Sequence, residues 1–99
     1  MGVLEDLQHC VGFDWDDGNE RKNWEKHRVS DAECEEVFFN DPLVAGTDLS
    51  QSQSEARYFA LGRTDADRHL FVAFTIRNEL IRVISARDMT KQELRRYFT

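Results

Sequence analysis

Two apolar stretches, His69–Arg77 and Leu80–Ala86, are separated only by Asn78 and Glu79. So short a connection joins antiparallel strands, because a parallel return needs roughly a dozen residues or more. In the first stretch Leu70, Val72, Phe74 and Ile76 share one face, while His69, Phe71, Ala73, Thr75 and Arg77 form a mixed one. Asn78-Glu79 lacks the glycine that two-residue hairpins favour, but no longer loop is available. The second stretch runs on as Ile81-Arg82-Val83-Ile84-Ser85-Ala86-Arg87 and leads into a basic helix, Thr90–Tyr97. Arginine in so apolar a strand needs a partner. Either these arginines form internal ion pairs, or they bind an anion such as an RNA phosphate. Regular alternation puts Arg82 with Leu80 and Ile84, and Arg87 on the other face. Both line one site only if a bulge or the strand end redirects one of them.

The rest of the chain is consistent with one α+β domain over residues 13–99, preceded by a loosely attached extension, 1–12. Phe13–Trp15 reads as a short strand. Asp16–His27 reads as a charged helix with acids early and Lys26 and His27 late, the order the helix dipole favours. Ser30-x-x-Glu33 is a capping box opening a second helix, in which Cys34, Val37 and Phe38 share a face. Asn40-Asp41-Pro42 ends it. Leu43–Thr47 is a short strand, Asp48–Ser54 a mobile loop, Arg57–Arg63 a strand and Thr64–Asp67 a turn. Thr90-x-x-Glu93 is a second capping box, with Leu94, Tyr97 and Phe98 on the apolar side of the last helix. The predicted order is β-α-α-β-β-β-β-α: an antiparallel sheet with two N-terminal helices and a C-terminal helix grouped on one face.

No apolar run approaches the roughly 18–20 residues of a membrane span, and Met1–Gly12 has no secretory pattern. With Cys10 and Cys34 alone, reduced thiols in a cytoplasm are the default expectation. The net charge of −6 argues against a general nucleic-acid binder. The charge is unevenly distributed, however. Residues 1–50 carry four Lys/Arg against thirteen Asp/Glu, and residues 51–99 carry nine against six. A basic surface on an acidic protein is therefore allowed.

Phe13-Asp14-Trp15-Asp16, Asn23-x-x-Lys26-His27-x-Val29-Ser30 and Val37-Phe38-x-x-Asp41-Pro42 together resemble the BrnT toxin family, also known as DUF497. The likeness continues through Glu55-x-Arg57, Gly62, Arg77, the run Ile81–Arg87 and Glu93-x-x-x-Tyr97. It implies a RelE-like fold and a toxin that cleaves RNA. It also implies a BrnA-type antitoxin partner with a ribbon-helix-helix segment, contact with promoter DNA only through that antitoxin, and a two-plus-two complex as one form of assembly. No cofactor, metal or membrane enters this picture.

Metal-independent RNA cleavage needs the 2′-hydroxyl to attack the adjacent phosphorus, with fixed cations for the developing charge. Arg57, Arg77, Arg82 and Arg87 are the candidates for that task. Lys26, His27, Glu55 and Tyr97 are candidates for proton transfer. Structural roles compete with each. Arg82 can pair with a carboxylate, Arg77 can be solvated at the hairpin edge, and Lys26 and His27 suit a helix C-terminus on electrostatic grounds alone. Tyr97 can simply pack. The three histidines show no ligand spacing. Two departures from the family pattern stand out: Arg28 where glycine is usual after Lys-His, and a pI near 5.0. Two further readings therefore stay open beside the nuclease. One is a non-enzymatic antitoxin-binding module and co-repressor; the other is an unrelated small inhibitor of another enzyme.

Overall fold

The computed structural model describes residues 2–48 and 56–99. Its elements in chain order are α1 (Val3–Gln8), β1 (Gly12–Phe13), α2 (Asp17–His27), α3 (Asp31–Phe39), β2 (Val44–Thr47), β3 (Tyr58–Arg63), β4 (His69–Arg77), β5 (Leu80–Asp88) and α4 (Lys91–Tyr97). Both residues of the β4–β5 turn have positive φ, 54° at Asn78 and 62° at Glu79, the pairing of a type I′ turn. The hairpin thus forms without glycine. Both capping boxes are present, at Ser30/Glu33 and Thr90/Glu93. Asp16 caps α2 by accepting from the Gly18 and Asn19 amides.

From β1 onward the order matches the sequence reading, but three points differ. First, residues 3–8 form a helix, where only a loose extension was expected. Val3 and Leu7 pack against the main core. Its N-cap is Gly2, which offers no side chain to cap with, so the start is silent in sequence. Second, the sheet is mixed, not wholly antiparallel. Its order is β1-β5-β4-β3-β2, and β1 lies parallel to β5 while the other pairs are antiparallel. Third, the helices are not all on one face. Cys34 and Val37 of α3 meet Ala60, Leu70, Val72, Phe74, Ile81 and Val83 on one side of the sheet. Tyr97 and Leu94 of α4 meet Leu61, Phe59 and Phe71 on the other. The loop expected at 48–54 falls, beyond Asp48, outside the described residues.

β1 covers only the first two residues of β5. Past that point α2 lies along the strand's open edge. The Asn19 Nδ2 donates to the Val83 carbonyl at 3.3 Å, and the buried Asn23 Oδ1 accepts from the Ala86 N–H at 3.1 Å. These bonds satisfy backbone groups that no neighbouring strand reaches.

Candidate active site

β5 pairs with β4 as Phe74↔Val83 and then Ala73↔Ser85, so Ile84 has no partner across the ladder. It is the extra residue of a β-bulge, and the alternation of side chains restarts beyond it. Arg82 consequently stands opposite Thr75 and Arg87 opposite Phe71, on the same face of the sheet. β3 extends the pattern, with Leu61 opposite Phe71 and Phe59 opposite Ala73. The Asp48 N–H donates to the Arg57 carbonyl at 2.8 Å, which carries the β2–β3 ladder one step further. Arg57 thereby falls in line with Thr75 and Arg82. Arg77, opposite Leu80, completes the set at the hairpin end. All four candidate arginines therefore share the face that carries α4.

Arg87 is held by a two-pronged ion pair. Its Nη1 and Nη2 donate to the two oxygens of Glu93 at 2.8 and 3.0 Å, and Nη1 also donates to the Asp88 carbonyl at 3.1 Å. This fork-to-fork geometry orients the guanidinium plane. The plane lies over the Phe71 ring, 4.3 Å from its centroid. Phe71 in turn stacks on Phe59 at 6.1 Å, and Arg96 covers Phe59 at 5.1 Å. A cleft of about 100 Å³ between these groups is lined by Phe59, Leu61, Phe71, Glu93 and Arg96. Two arginines over two parallel aromatic rings offer both charge and flat apolar surface, the two things a nucleotide presents to a protein. Phe59, Phe71 and Arg96 were missed from sequence. The signal was the position of both phenylalanines on the mixed faces of their strands.

Arg82 meets Asp16 at 3.3 Å through one nitrogen, a weaker tie than that of Arg87. The Asp16 carboxyl is held below its usual range mainly by the Asn19 and Gly18 amides, with Arg82 adding to the effect. Between Arg57 and Arg82 the Thr75 hydroxyl is buried and has no hydrogen-bond partner among the described residues.

The proton-transfer candidates are dispersed. Tyr97 is buried and donates to the Pro42 carbonyl at 2.7 Å, and burial pushes its phenol up. Lys26 and His27 are exposed at the end of α2. The His27 carbonyl and Asp88 share Arg68 as donor, and Asp88 pairs with Leu70 and so faces away from Arg87. Glu55 lies outside the described residues.

Arg68, not singled out from sequence, is a structural hub. It donates to both oxygens of Asp88 at 2.7 and 3.2 Å, to Glu33 at 3.2 Å, and to the His27 and Arg28 carbonyls at 2.9 and 2.7 Å. The last of these holds Arg28 in the left-handed conformation, φ 54°, that a glycine would take more readily.

No group of three or more His, Cys, Asp or Glu side chains suited to a metal ion occurs among the described residues. No described helix is long and apolar enough to cross a membrane. A search of curated proteins gives no match. Among solved structures, the 1.1 Å crystal structure of the Brucella abortus ribonuclease toxin BrnT is similar, with a TM-score of 0.58 and 20% identity. The superposition covers 82% of this chain and 99% of that one, which establishes a shared fold. A family model described as the ribonuclease toxin BrnT of type II toxin–antitoxin systems matches residues 15–93. That span takes in both capping boxes, the β4–β5 hairpin and all four arginines, and the chain belongs to the BrnT family of ribonuclease toxins of type II toxin–antitoxin systems.

Proposed function

We propose that this chain cleaves RNA without a metal ion, on the sheet face that carries Arg57, Arg77, Arg82 and Arg87. The convergence of these four residues on one face, through the Ile84 bulge, is the observation that carries the reading. The 2′-oxygen of a nucleotide attacks the adjacent phosphorus as the bond to the 5′-oxygen breaks, leaving a 2′,3′-cyclic phosphate and a 5′-hydroxyl. Charge accumulates on the non-bridging oxygens, and fixed guanidinium groups stabilise it without reorganisation. Arg87 still has Nε–H and one Nη2–H to offer while it is held by Glu93. The 2′-proton must leave to a base and another must reach the 5′-oxygen. Glu55 remains a group proposed for these transfers, while Lys26 and His27, at the end of α2 near Asp88, serve them only for an RNA that wraps around the β5 edge. Tyr97, whose hydroxyl already serves Pro42, is a weaker one.

The partner in this reading is a BrnA-type ribbon-helix-helix antitoxin in the cytoplasm, with promoter DNA contacted through it in a two-plus-two complex. A second reading, the non-enzymatic binding module, draws support from the Arg87–Glu93 pair. A guanidinium already neutralised by a carboxylate attracts phosphate less strongly, and the acidic N-terminal half suits a basic partner.

Induced expression of the chain without an antitoxin, beside Arg87→Ala, separates the two. Growth arrest with loss of RNA, both absent in a folded Arg87→Ala control, is the expected result. Normal growth and intact RNA at high levels of wild-type protein would leave the binding module.

A further inference from the structure

We propose that Asn19 and Asn23 are positioning residues for the arginine face: from the open edge of β5 they fix the bulge phase that aligns Arg82 with Arg87. The inference rests on the nuclease reading for its functional consequence, but its structural half stands by itself.

Backbone groups along one edge of a strand recur every second residue. Along the outer edge of β5 and the turn before it, the Ile81 and Glu79 carbonyls accept from the residues flanking β1, at 2.9 Å from the Asp14 N–H and 2.8 Å from the Val11 N–H. The Val83 carbonyl continues the odd-numbered phase and accepts from Asn19. The next outward group that is bonded is the N–H of Ala86, an even-numbered residue, which donates to Asn23. The phase changes between the two contacts, and Ile84 is the extra residue that changes it. In an unbulged strand the Ala86 N–H would point towards β4, and Asn23 would have nothing to accept.

The two asparagines are four residues apart on α2, one helical turn, so they present their amides to the edge in series. Four residues of helix rise about 6 Å. Asn19 therefore reads the phase before the bulge and Asn23 the phase after it. Asn23 is 3% exposed, and its Nδ2 has no partner among the described residues. A buried polar side chain with one orphan amine is a poor choice for packing alone; its retained contact is the one with Ala86. Losing that acceptor frees the bulge to migrate along β5. Loss of the bulge, or its passage beyond residue 87, would turn Arg87 to the opposite face, and its passage to the N-terminal side of residue 82 would turn Arg82 instead.

The test uses the whole chain. Asn23→Ala removes the acceptor, whereas Asn23→Asp keeps an oxygen at the same place. Val37→Ala, in the core on the far face, serves as a control for loss of stability. Backbone NMR reports the β4–β5 register and the protection of the Ala86 amide. RNA cleavage reports kcat and KM. Asn23→Ala is expected to lose protection at Ala86, to shift the Ser85↔Ala73 pairing, and to lower kcat on the order of 10–100-fold with little change in KM. Asn23→Asp is expected to restore both readouts, and Val37→Ala to change neither. An unchanged register and a protected Ala86 amide in Asn23→Ala would overturn the positioning role, whatever the enzyme does. Full cleavage by Asn23→Ala, with Arg87→Ala inactive, would overturn the functional half and leave the nuclease reading standing. Full cleavage by Arg87→Ala would instead remove the nuclease reading at this face, with the register still deciding the structural half.

Discussion

Glu93 holds Arg87 and the first turn of α4 with one carboxylate. Its Oε1 accepts from Arg87 Nη1 at 2.8 Å and from the Thr90 N–H at 2.9 Å, while Oε2 accepts from Arg87 Nη2 at 3.0 Å. The end of β5 and the start of the next helix are thereby one mechanical unit, and the guanidinium points where that unit points.

Glu93→Gln should separate the two roles, because glutamine also closes a capping box. The charge is lost while the cap stays. We expect a loss of about 0.5–1 kcal/mol near neutral pH, since both side chains are partly solvated and the pair is screened. The Arg87 guanidinium holds the Glu93 carboxyl below its ordinary value of 4.5. A lowered folded-state pKa gives stability that is complete above the unfolded value and fades as pH falls through the folded one. Urea unfolding of the two proteins should therefore differ at about pH 7 and converge in acid, once the pH has fallen through the lowered carboxyl pKa. A gap that persists undiminished in acid would contradict the ion pair.

Arg28→Gly should stabilise the protein. Arg28 sits at φ 54°, ψ 40°, a conformation that costs an L-residue with a side chain roughly 1 kcal/mol. The substitution gives up the contact of the guanidinium with Trp24, 5.4 Å from the ring centroid. At an exposed site that is worth about 0.5 kcal/mol, so the net gain is smaller than the strain alone. Thermal unfolding would show a higher midpoint, and a lower one would mean that Arg28 contributes more than its conformation costs.

Arg68→Met should be far more damaging. It strips partners from Asp88, Glu33 and two carbonyls at the junction of α2, α3 and β5. Because most of these groups are partly solvated, losing the guanidinium costs roughly 1–2 kcal/mol. Denaturant unfolding measures it, and a loss below about 0.5 kcal/mol would show that water replaces the guanidinium freely.

Gly62→Ala tests the close approach of α3 to the sheet. A Cβ there would come within 2.7 Å of Val37 Cγ1 and 3.1 Å of the Val37 carbonyl. The helix must shift, at about 1–3 kcal/mol. Unchanged stability would mean that the α3–β3 contact is looser than these distances imply.

The features that sequence made readable are those decided within a few residues. Ser30 and Glu33, or Thr90 and Glu93, satisfy each other's backbone amides wherever the chain lies, so the capping boxes were visible. The alternation in His69–Arg77 likewise set the faces of β4. The bulge at Ile84 was not readable, because its phase answers to Asn19 and Asn23, more than sixty residues away. Without it, Arg82 and Arg87 fall on opposite faces, and the arginine cluster dissolves into scattered charges. The parallel β1 and the hub at Arg68 are long-range in the same way. The helix α1 has neither a capping side chain nor a buried residue of its own, and only its packing against the core makes it stand out.

Cleavage of a short RNA by the purified chain in excess chelator, with end-group analysis and with Arg82→Ala and Arg87→Ala beside it, bears most directly on the arginine face. A ribonuclease working there releases 2′,3′-cyclic phosphate ends, spares the same oligonucleotide with 2′-deoxy sugars, and loses at least about 100-fold in rate when either arginine is removed from a folded protein. Undiminished cleavage by both folded variants, or cleavage of the 2′-deoxy strand, would contradict it.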